Sequence, residues 1–199
     1  MVDKIHNFYD EHANEYAELT VKADMTKQYA KFLAYLPMDS SILDAGCGSG
    51  RDSLFFMKKG YAVTMLDASA GMCKCAEKLT GQKALHMQFE EINFEKQFDG
   101  IWACASLLHV PEKNLENIFA KFWRALKDNG ILYASWKYGE EERYDGERFY
   151  CDMTAEKLKN VLACAGLFDC LECWVAEDAL SLNRKQKWLN VVLRKVLQT

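Results

Sequence analysis

Ser41-Ile42-Leu43-Asp44-Ala45-Gly46-Cys47-Gly48-Ser49-Gly50-Arg51-Asp52 reads as a short apolar strand, an acidic residue, a glycine-rich turn and the start of a helix. Ile42 and Leu43 suit a strand buried in a parallel sheet. Gly46, Gly48 and Gly50 let the backbone bend sharply and let a ligand approach where a Cβ would collide. Ser49 or Asp52 is placed to cap the helix that follows, whose first N–H groups then face the ligand.

Two ligand classes use such a turn, and they differ in charge. A dinucleotide sets its pyrophosphate on the helix N-terminus and wants Gly-x-Gly-x-x-Gly or Ala. Counted from Gly46, the last position of that pattern falls on Arg51. Asp44, just before the turn, would also repel a pyrophosphate. A carboxylate there suits a ligand bearing an ammonium and a sulfonium, namely S-adenosylmethionine. Asp67 closes the next apolar segment, Tyr61-Ala62-Val63-Thr64-Met65-Leu66, where an acidic residue accepts hydrogen bonds from ribose hydroxyls. It is equally placed to cap the helix beginning near Ser69.

The run Ile42 to Ser53, followed by Val63 to Asp67, resembles the first two motifs of class I S-adenosylmethionine-dependent methyltransferases, and later residues extend the resemblance over nearly the whole chain. Within that family the chain looks like small bacterial proteins related to the tellurite-resistance methyltransferases. The resemblance implies a doubly wound, Rossmann-like, mostly parallel seven-stranded sheet with an antiparallel closing strand and an N-terminal helical lid over residues 1–36. It implies S-adenosylmethionine as the cofactor, held by Asp44, Gly46, Cys47, Gly48, Arg51, Asp67, Ala68 and Met72. The stretch Gln88-Phe89-Glu90 falls where the family binds adenine, although Gln88 replaces a common Asp. Phe8-Tyr9-Asp10-Glu11-His12-Ala13-Asn14-Glu15-Tyr16 resembles the family's Tyr-rich lid, which points to Tyr16 and Thr20 as a cover for the sulfonium.

Length and composition bound the rest. The chain has 199 residues, 50% hydrophobic and 27% charged, with a formal net charge of -4. That size predicts a single domain over 1–199, and the charge argues against a broad nucleic-acid-binding face. No basic-then-apolar leader and no bilayer-length apolar run is present, so the expectation is a cytoplasmic protein without a membrane anchor. Eight cysteines occur without a disulfide-scaffold context. Cys170-x-x-Cys173 is half of a zinc site with no second pair to complete it, so no metal is expected. Nothing in the composition fixes the oligomeric state.

Apolar spacing predicts helices over 3–19, 25–36, 52–59, 69–79, 112–127 and 154–165. Strands are predicted at 42–45, 61–66, 84–88, 98–105, 131–136, 168–175 and 188–193, an alternation that gives a parallel sheet with right-handed crossovers. Ala105-Ser106-Leu107-Leu108-His109 leaves the fourth strand at the switch point, where ligands sit. Ala105 is assigned to the cofactor. His109 is either a general base or a structural histidine bonded to a neighbouring loop.

The stretch from Trp136 to Tyr150 carries Lys137, Arg143 and Arg148 among Tyr138, Phe149 and other aromatics, with carboxylates interleaved. Read functionally it is an acceptor pocket with cationic hooks, Arg148 foremost; Asn190 would face the same side, and Glu177, Asp178 and Arg184 would border its mouth. Read otherwise it is a solvated loop of mixed charge, or one held shut by salt bridges. The first expectation is O-methylation of an anionic small molecule or peptide terminus. Others are methylation of a neutral hydroxyl or amine with His109 as base, and a non-catalytic binding module. An NAD-dependent dehydrogenase is disfavoured by Asp44 and Arg51.

Overall fold

The computed structural model describes residues 2–180 and 186–197, and the side chains from residue 7 onward within that range. Two helices open the chain, α1 (Val2–Glu11) and α2 (Ala13–Thr20), and α3 (Thr26–Leu33) follows. The core alternates β1 (Ser41–Ala45), α4 (Arg51–Lys58), β2 (Ala62–Asp67), α5 (Ala70–Thr80), β3 (Ala84–His86), β4 (Phe98–Ala103), α6 (Glu112–Ala125) and β5 (Leu126–Lys137). A small hairpin, β6 (Glu142–Asp145) and β7 (Arg148–Cys151), precedes α7 (Ala155–Ala165), β8 (Phe168–Glu177) and β9 (Lys187–Lys195).

The main sheet runs β3-β2-β1-β4-β5-β9-β8. Every pairing from β3 to β5 is parallel, and β9 runs antiparallel to both its neighbours. The strand order reverses between β1 and β4, which opens a crevice at their C-terminal ends. The predicted Rossmann-like sheet and its closing antiparallel strand are therefore present.

Both faces of the sheet are covered. One carries Phe32, Phe56, Trp102 and Tyr133, all fully buried, with Trp102 stacked on Tyr133 at 3.9 Å. The other packs Leu115, Ile118, Phe119 and Phe122 of α6 with Leu158 and Leu162 of α7. These α6 positions recur at the helical spacing legible in the sequence.

Four local features depart from the sequence expectation. The N-terminal helix breaks at His12, and the break lets Ala13 pack against Gly71 while Asp10 reaches the start of α5. The cap of α4 is Gly50 at φ +81, in place of Ser49 or Asp52. β5 begins at Leu126, which pairs with Phe98 across a register shift, where the helix was expected to run to 127 and the strand to start at 131. The 136–150 stretch is not an open loop: β6 and β7 pair antiparallel around Gly146 at φ +61. Its Asp145-Gly146 turn signal was hidden among charged residues.

Phe32 is sealed among Phe56, Trp102 and Tyr133. Phe32→Ala should cost about 3–5 kcal/mol of stability, read as a lower urea midpoint at unchanged slope.

Candidate active site

The crevice at the switch point is a cavity of about 260 Å³. The glycine turn forms its floor. A Cβ on Gly46 would lie 2.4 Å from Ser106 Cβ, and Gly46 sits at φ +81, so this position is closed to any side chain. Gly48 is different: a Cβ there would meet nothing within 4 Å, because the residue faces the cavity. Gly50 lets α4 approach α5, since a Cβ would come within 2.9 Å of Ala76 Cα. One glycine thus serves the fold, one the approach of helices, and one the opening for a ligand.

Asp67, at the end of β2, accepts the Gly48 N–H at 2.8 Å and the Ser69 N–H at 2.9 Å, and it lines the cavity. Ser69 caps α5 by accepting from Met72 N at 3.0 Å. Asp44 stands behind the turn, 2% exposed, and accepts a 2.5 Å hydrogen bond from Ser53 Oγ. Burial, reinforced by the nearby Asp52 charge, pushes Asp44 up to about 8.

Asp52 is the buried centre of this end. It accepts from Tyr29 Oη at 2.5 Å, Trp102 Nε1 at 2.8 Å, and Arg51 Nε and Nη2 at 2.6 and 2.9 Å. Burial opposes its charge, but Arg51 and these hydrogen bonds outweigh burial and hold Asp52 below the usual carboxylate range. Arg51 Nη1 also donates to the Thr20 carbonyl at 3.1 Å, tying α2 to the glycine turn.

At the other end, His109 lies on a short 3₁₀ turn after β4. Its Nδ1 is 2.7 Å from the Phe149 carbonyl, and its Nε2 is 2.9 Å from Tyr9 Oη. A carbonyl only accepts, so Nδ1 carries the proton and neutral Nε2 accepts from Tyr9. Tyr9 packs edge-on against Tyr16 at 5.1 Å, and burial raises both phenols above their ordinary range. Ala105 adopts φ +51, a left-handed conformation rare for alanine, and its N–H is held by Ser135 Oγ at 2.9 Å. Asn190 is fixed by Tyr133 Oη at 2.7 Å and by its own bond to the Trp188 carbonyl at 3.0 Å.

Of the sequence-predicted residues, Tyr16, Thr20, Gly46, Cys47, Gly48, Arg51, Asp67, Ala68, Met72, Phe89, Glu90, Ala105, His109 and Asn190 line this one cavity. Asp44 sits one layer behind it. Arg148, Lys137, Arg143, Tyr138 and Phe149 lie outside the lining. Arg143 is bridged to Asp152 at 2.9 Å, Lys137 lies 3.6 Å over the Tyr150 ring, and Arg148 lies 4.8 Å over Phe8. Tyr138 is exposed and Phe149 is buried against Tyr144. Among the described lining residues Arg51 is the one Lys or Arg, and it is bonded to Asp52. Glu177 and Asp178 do border the mouth, whereas Arg184 lies outside the described residues. All eight cysteines are free thiols, Cys170 and Cys173 both exposed, and among the described residues no group of His, Cys, Asp or Glu is placed to hold a metal ion.

Sequence reasoning did not single out Tyr9, Ser135, Ser106 or Gln28. The signal for Tyr9 was present, three residues after Ile5-His6 on the aromatic face of the lid; Ser106 lay in the switch-point stretch without being assigned a role, and Ser135 and Gln28 are polar residues on elements read as packing.

A methyltransferase-domain model matches residues 42–130, from the first strand through the turn into the fifth. This part of the chain is a methyltransferase domain. The candidate methyltransferase YqeM of Bacillus subtilis (strain 168) is 35% identical over 144 residues, which are 66% of this chain and 58% of that protein. The chain spans about half the length of the curated relatives it matches. Among solved structures, the Burkholderia thailandensis 1,6-didemethyltoxoflavin-N1-methyltransferase, with bound 1,6-didemethyltoxoflavin and S-adenosylhomocysteine, superposes with a TM-score of 0.80 at 20% identity, covering 98% of this chain and 89% of that one. The [4+2]-cyclase SpnF superposes at 0.75 and 16% identity, covering 98% and 96%. These two share the methyltransferase fold with this chain. No helix among the described residues is long and apolar enough to cross a membrane.

Two outcomes follow from this geometry. Gly46→Ala should lower the melting temperature sharply, whereas Gly48→Ala should cost about 1 kcal/mol of folding stability from its left-handed backbone and mainly impair ligand binding; differential scanning fluorimetry and calorimetry separate them. Asp44 has a folded value of about 8, against about 3.9 unfolded, so the stability it contributes is full below the unfolded value and is lost as pH rises through the folded one. Relative to Asp44→Asn, the parent's melting temperature should therefore fall between about pH 4 and 8 and run parallel above that; parallel curves throughout would contradict the burial of this acid.

Proposed function

We propose that this chain, residues 1–199 taken as one domain, transfers a methyl group from S-adenosylmethionine to a small neutral acceptor. The observation that carries the reading is that one cavity joins the open glycine turn and Asp67 at one end to His109 and Asn190 at the other. The residues fit the cofactor. Gly48 leaves room for a ligand against backbone, Asp67 presents a carboxylate at the end of β2, and Phe89 and Glu90 wall the place for the adenine. Asp67 would hold the ribose hydroxyls, Gln88 and the Phe89 N–H the adenine, and the turn from Gly46 to Gly48 the methionyl part. Tyr16, with Thr20 and Met72, would cover the sulfonium. When bound, the cofactor supplies an activated methyl group.

What remains for the chain is to orient the acceptor, exclude water and remove one proton. His109 is suited to the last task, because its Nδ1–H is pinned by Phe149 and its basic Nε2 is joined to the Tyr9 hydroxyl, which lines the cavity. The anionic-acceptor reading would need free cations in the lining. Lys137, Arg143 and Arg148 instead face aromatic rings and carboxylates behind it, and the mouth carries Glu177 and Asp178. An anionic acceptor gripped by Arg148 is therefore the weaker of the two readings. Eight free thiols favour a reducing compartment, and we place the activity in the cytoplasm.

Asp67→Ala should weaken S-adenosylmethionine binding by roughly 10- to 100-fold, the loss of charge-assisted hydrogen bonds, with the protein still folded by circular dichroism. His109→Gln should leave cofactor affinity unchanged and cut methyl transfer to neutral acceptors by about 100-fold. Calorimetry that shows no S-adenosylmethionine binding to the parent would remove the reading and favour a binding module of other specificity. Arg148→Gln that abolishes turnover of carboxylate acceptors alone would restore the anionic one.

A further inference from the structure

The contact that the methyl-transfer reading leaves unused is the bond between the lid and the base. Tyr9 comes from α1, a helix that packs over the cavity, and its hydroxyl is 2.9 Å from His109 Nε2. The next residue, Asp10, accepts from Ser69 Oγ at 2.6 Å and from Gly71 N at 2.7 Å, at the start of α5. A carboxylate at a helix N-terminus is a favourable anchor. Docking of α1 and delivery of Tyr9 to His109 are thus one event. Arg148, on β7, places its positive charge beside the Tyr9 phenol, while Phe149, the next residue, accepts from His109 Nδ1. Two consecutive residues of one strand hold both members of the pair.

We propose that Tyr9 is a catalytic residue that relays the acceptor's hydroxyl proton to His109, and that the acceptor is accordingly an alcohol or phenol in its neutral form. The inference rests on the methyl-transfer reading above and deepens it. A phenol oxygen has one donor and two acceptor positions. The Tyr9 O–H is spent on Nε2, so the Tyr9 oxygen is left to accept an O–H from an acceptor in the cavity that Tyr9 lines, in competition with the neighbouring Tyr16 phenol. In the step, the acceptor proton passes to the Tyr9 oxygen as the Tyr9 proton passes to His109 Nε2. The acceptor oxygen forms its bond to the methyl carbon while the methyl–sulfur bond breaks, and that electron pair stays on sulfur. The products are a methyl ether, a neutral thioether and the His109 imidazolium, which returns its proton to water when α1 undocks. The burial that raises the Tyr9 phenol suits this role, because Tyr9 hands a proton on without itself resting as a phenolate. Arg148 is then a positioning residue that keeps the Tyr9 O–H turned toward His109.

Tyr9→Phe keeps the ring that packs on Tyr16 and removes only the relay oxygen. Turnover is followed as S-adenosylhomocysteine release from a series of para-substituted phenols of graded acidity. Weakly acidic phenols should lose about 100-fold or more in kcat, while phenols already ionised at the assay pH should stay within about threefold. S-adenosylmethionine affinity should not change. In ¹⁵N NMR of the S-adenosylhomocysteine complex, the His109 titration midpoint should move up in Tyr9→Phe, because the hydrogen bond it loses favours the neutral ring. An equal loss across the whole phenol series, no loss at all, or an unmoved His109 midpoint would each overturn the proposal. So would a parent enzyme that binds S-adenosylmethionine and methylates none of the phenols. A parent that does not bind S-adenosylmethionine would instead refute the methyl-transfer reading, and the His109 midpoint, measured then in the free protein, would still decide whether the pair exists.

Discussion

The ion pair of Arg51 and Asp52 is the constraint on which the cofactor end of this molecule depends. A carboxylate this deeply buried is stable as an anion only if its lone pairs are satisfied and a counter-charge is close. Asp52 meets both conditions with four hydrogen bonds, from Arg51, Tyr29 and Trp102. Those partners come from α4, α3 and β4, so one carboxylate fixes three elements around the glycine turn. Arg51 extends the network to the Thr20 carbonyl, and so to the end of the lid. Its charge is absorbed locally, which is why it adds no free cation to the cavity.

That arrangement also explains Asp44. Two carboxylates near one another in a low-dielectric region cannot both ionise easily, and only one of them has a cation in contact. Asp52 takes the negative charge, and Asp44 is left bonded to Ser53 with its acidity weakened. A ligand that carries a positive group to the turn would shift this balance, whereas a pyrophosphate would add to it unfavourably.

The opposite end is built from aromatic rings. Phe8, Tyr9, Tyr16, His109 and Tyr150 contact one another in sequence, and Lys137, Arg143 and Arg148 pack on the rings of Tyr150 and Phe8. Cations in such positions gain about 0.5–2 kcal/mol from the ring faces. They stiffen the hairpin that holds His109 and Tyr9, and they leave the described cavity lining with no Lys or Arg but the Asp52-bonded Arg51.

Much of this was legible in the chain. The alternation of short apolar runs with helical spacing gave the order of strands and helices, because a buried parallel strand and an amphipathic helix each write a distinct period. The Gly46-Cys47-Gly48 turn and Asp67 were legible because backbone that must approach a ligand excludes a Cβ, and few residue types meet that demand. The roles of Lys137, Arg143 and Arg148 were not. A mixed-charge stretch reads the same whether its cations face solvent, a substrate or one another, and the choice was made by the Asp145-Gly146 turn and the pairing of β6 with β7. Nor could Tyr9 be joined to His109, since the two are separated by 100 residues and meet only when α1 folds back across the sheet. The sequence by itself determined the sheet and the glycine turn, each of which depends on neighbours in the chain. Only the tertiary structure decided which charges are spent on one another and which groups face the cavity, because that accounting depends on contacts between segments far apart.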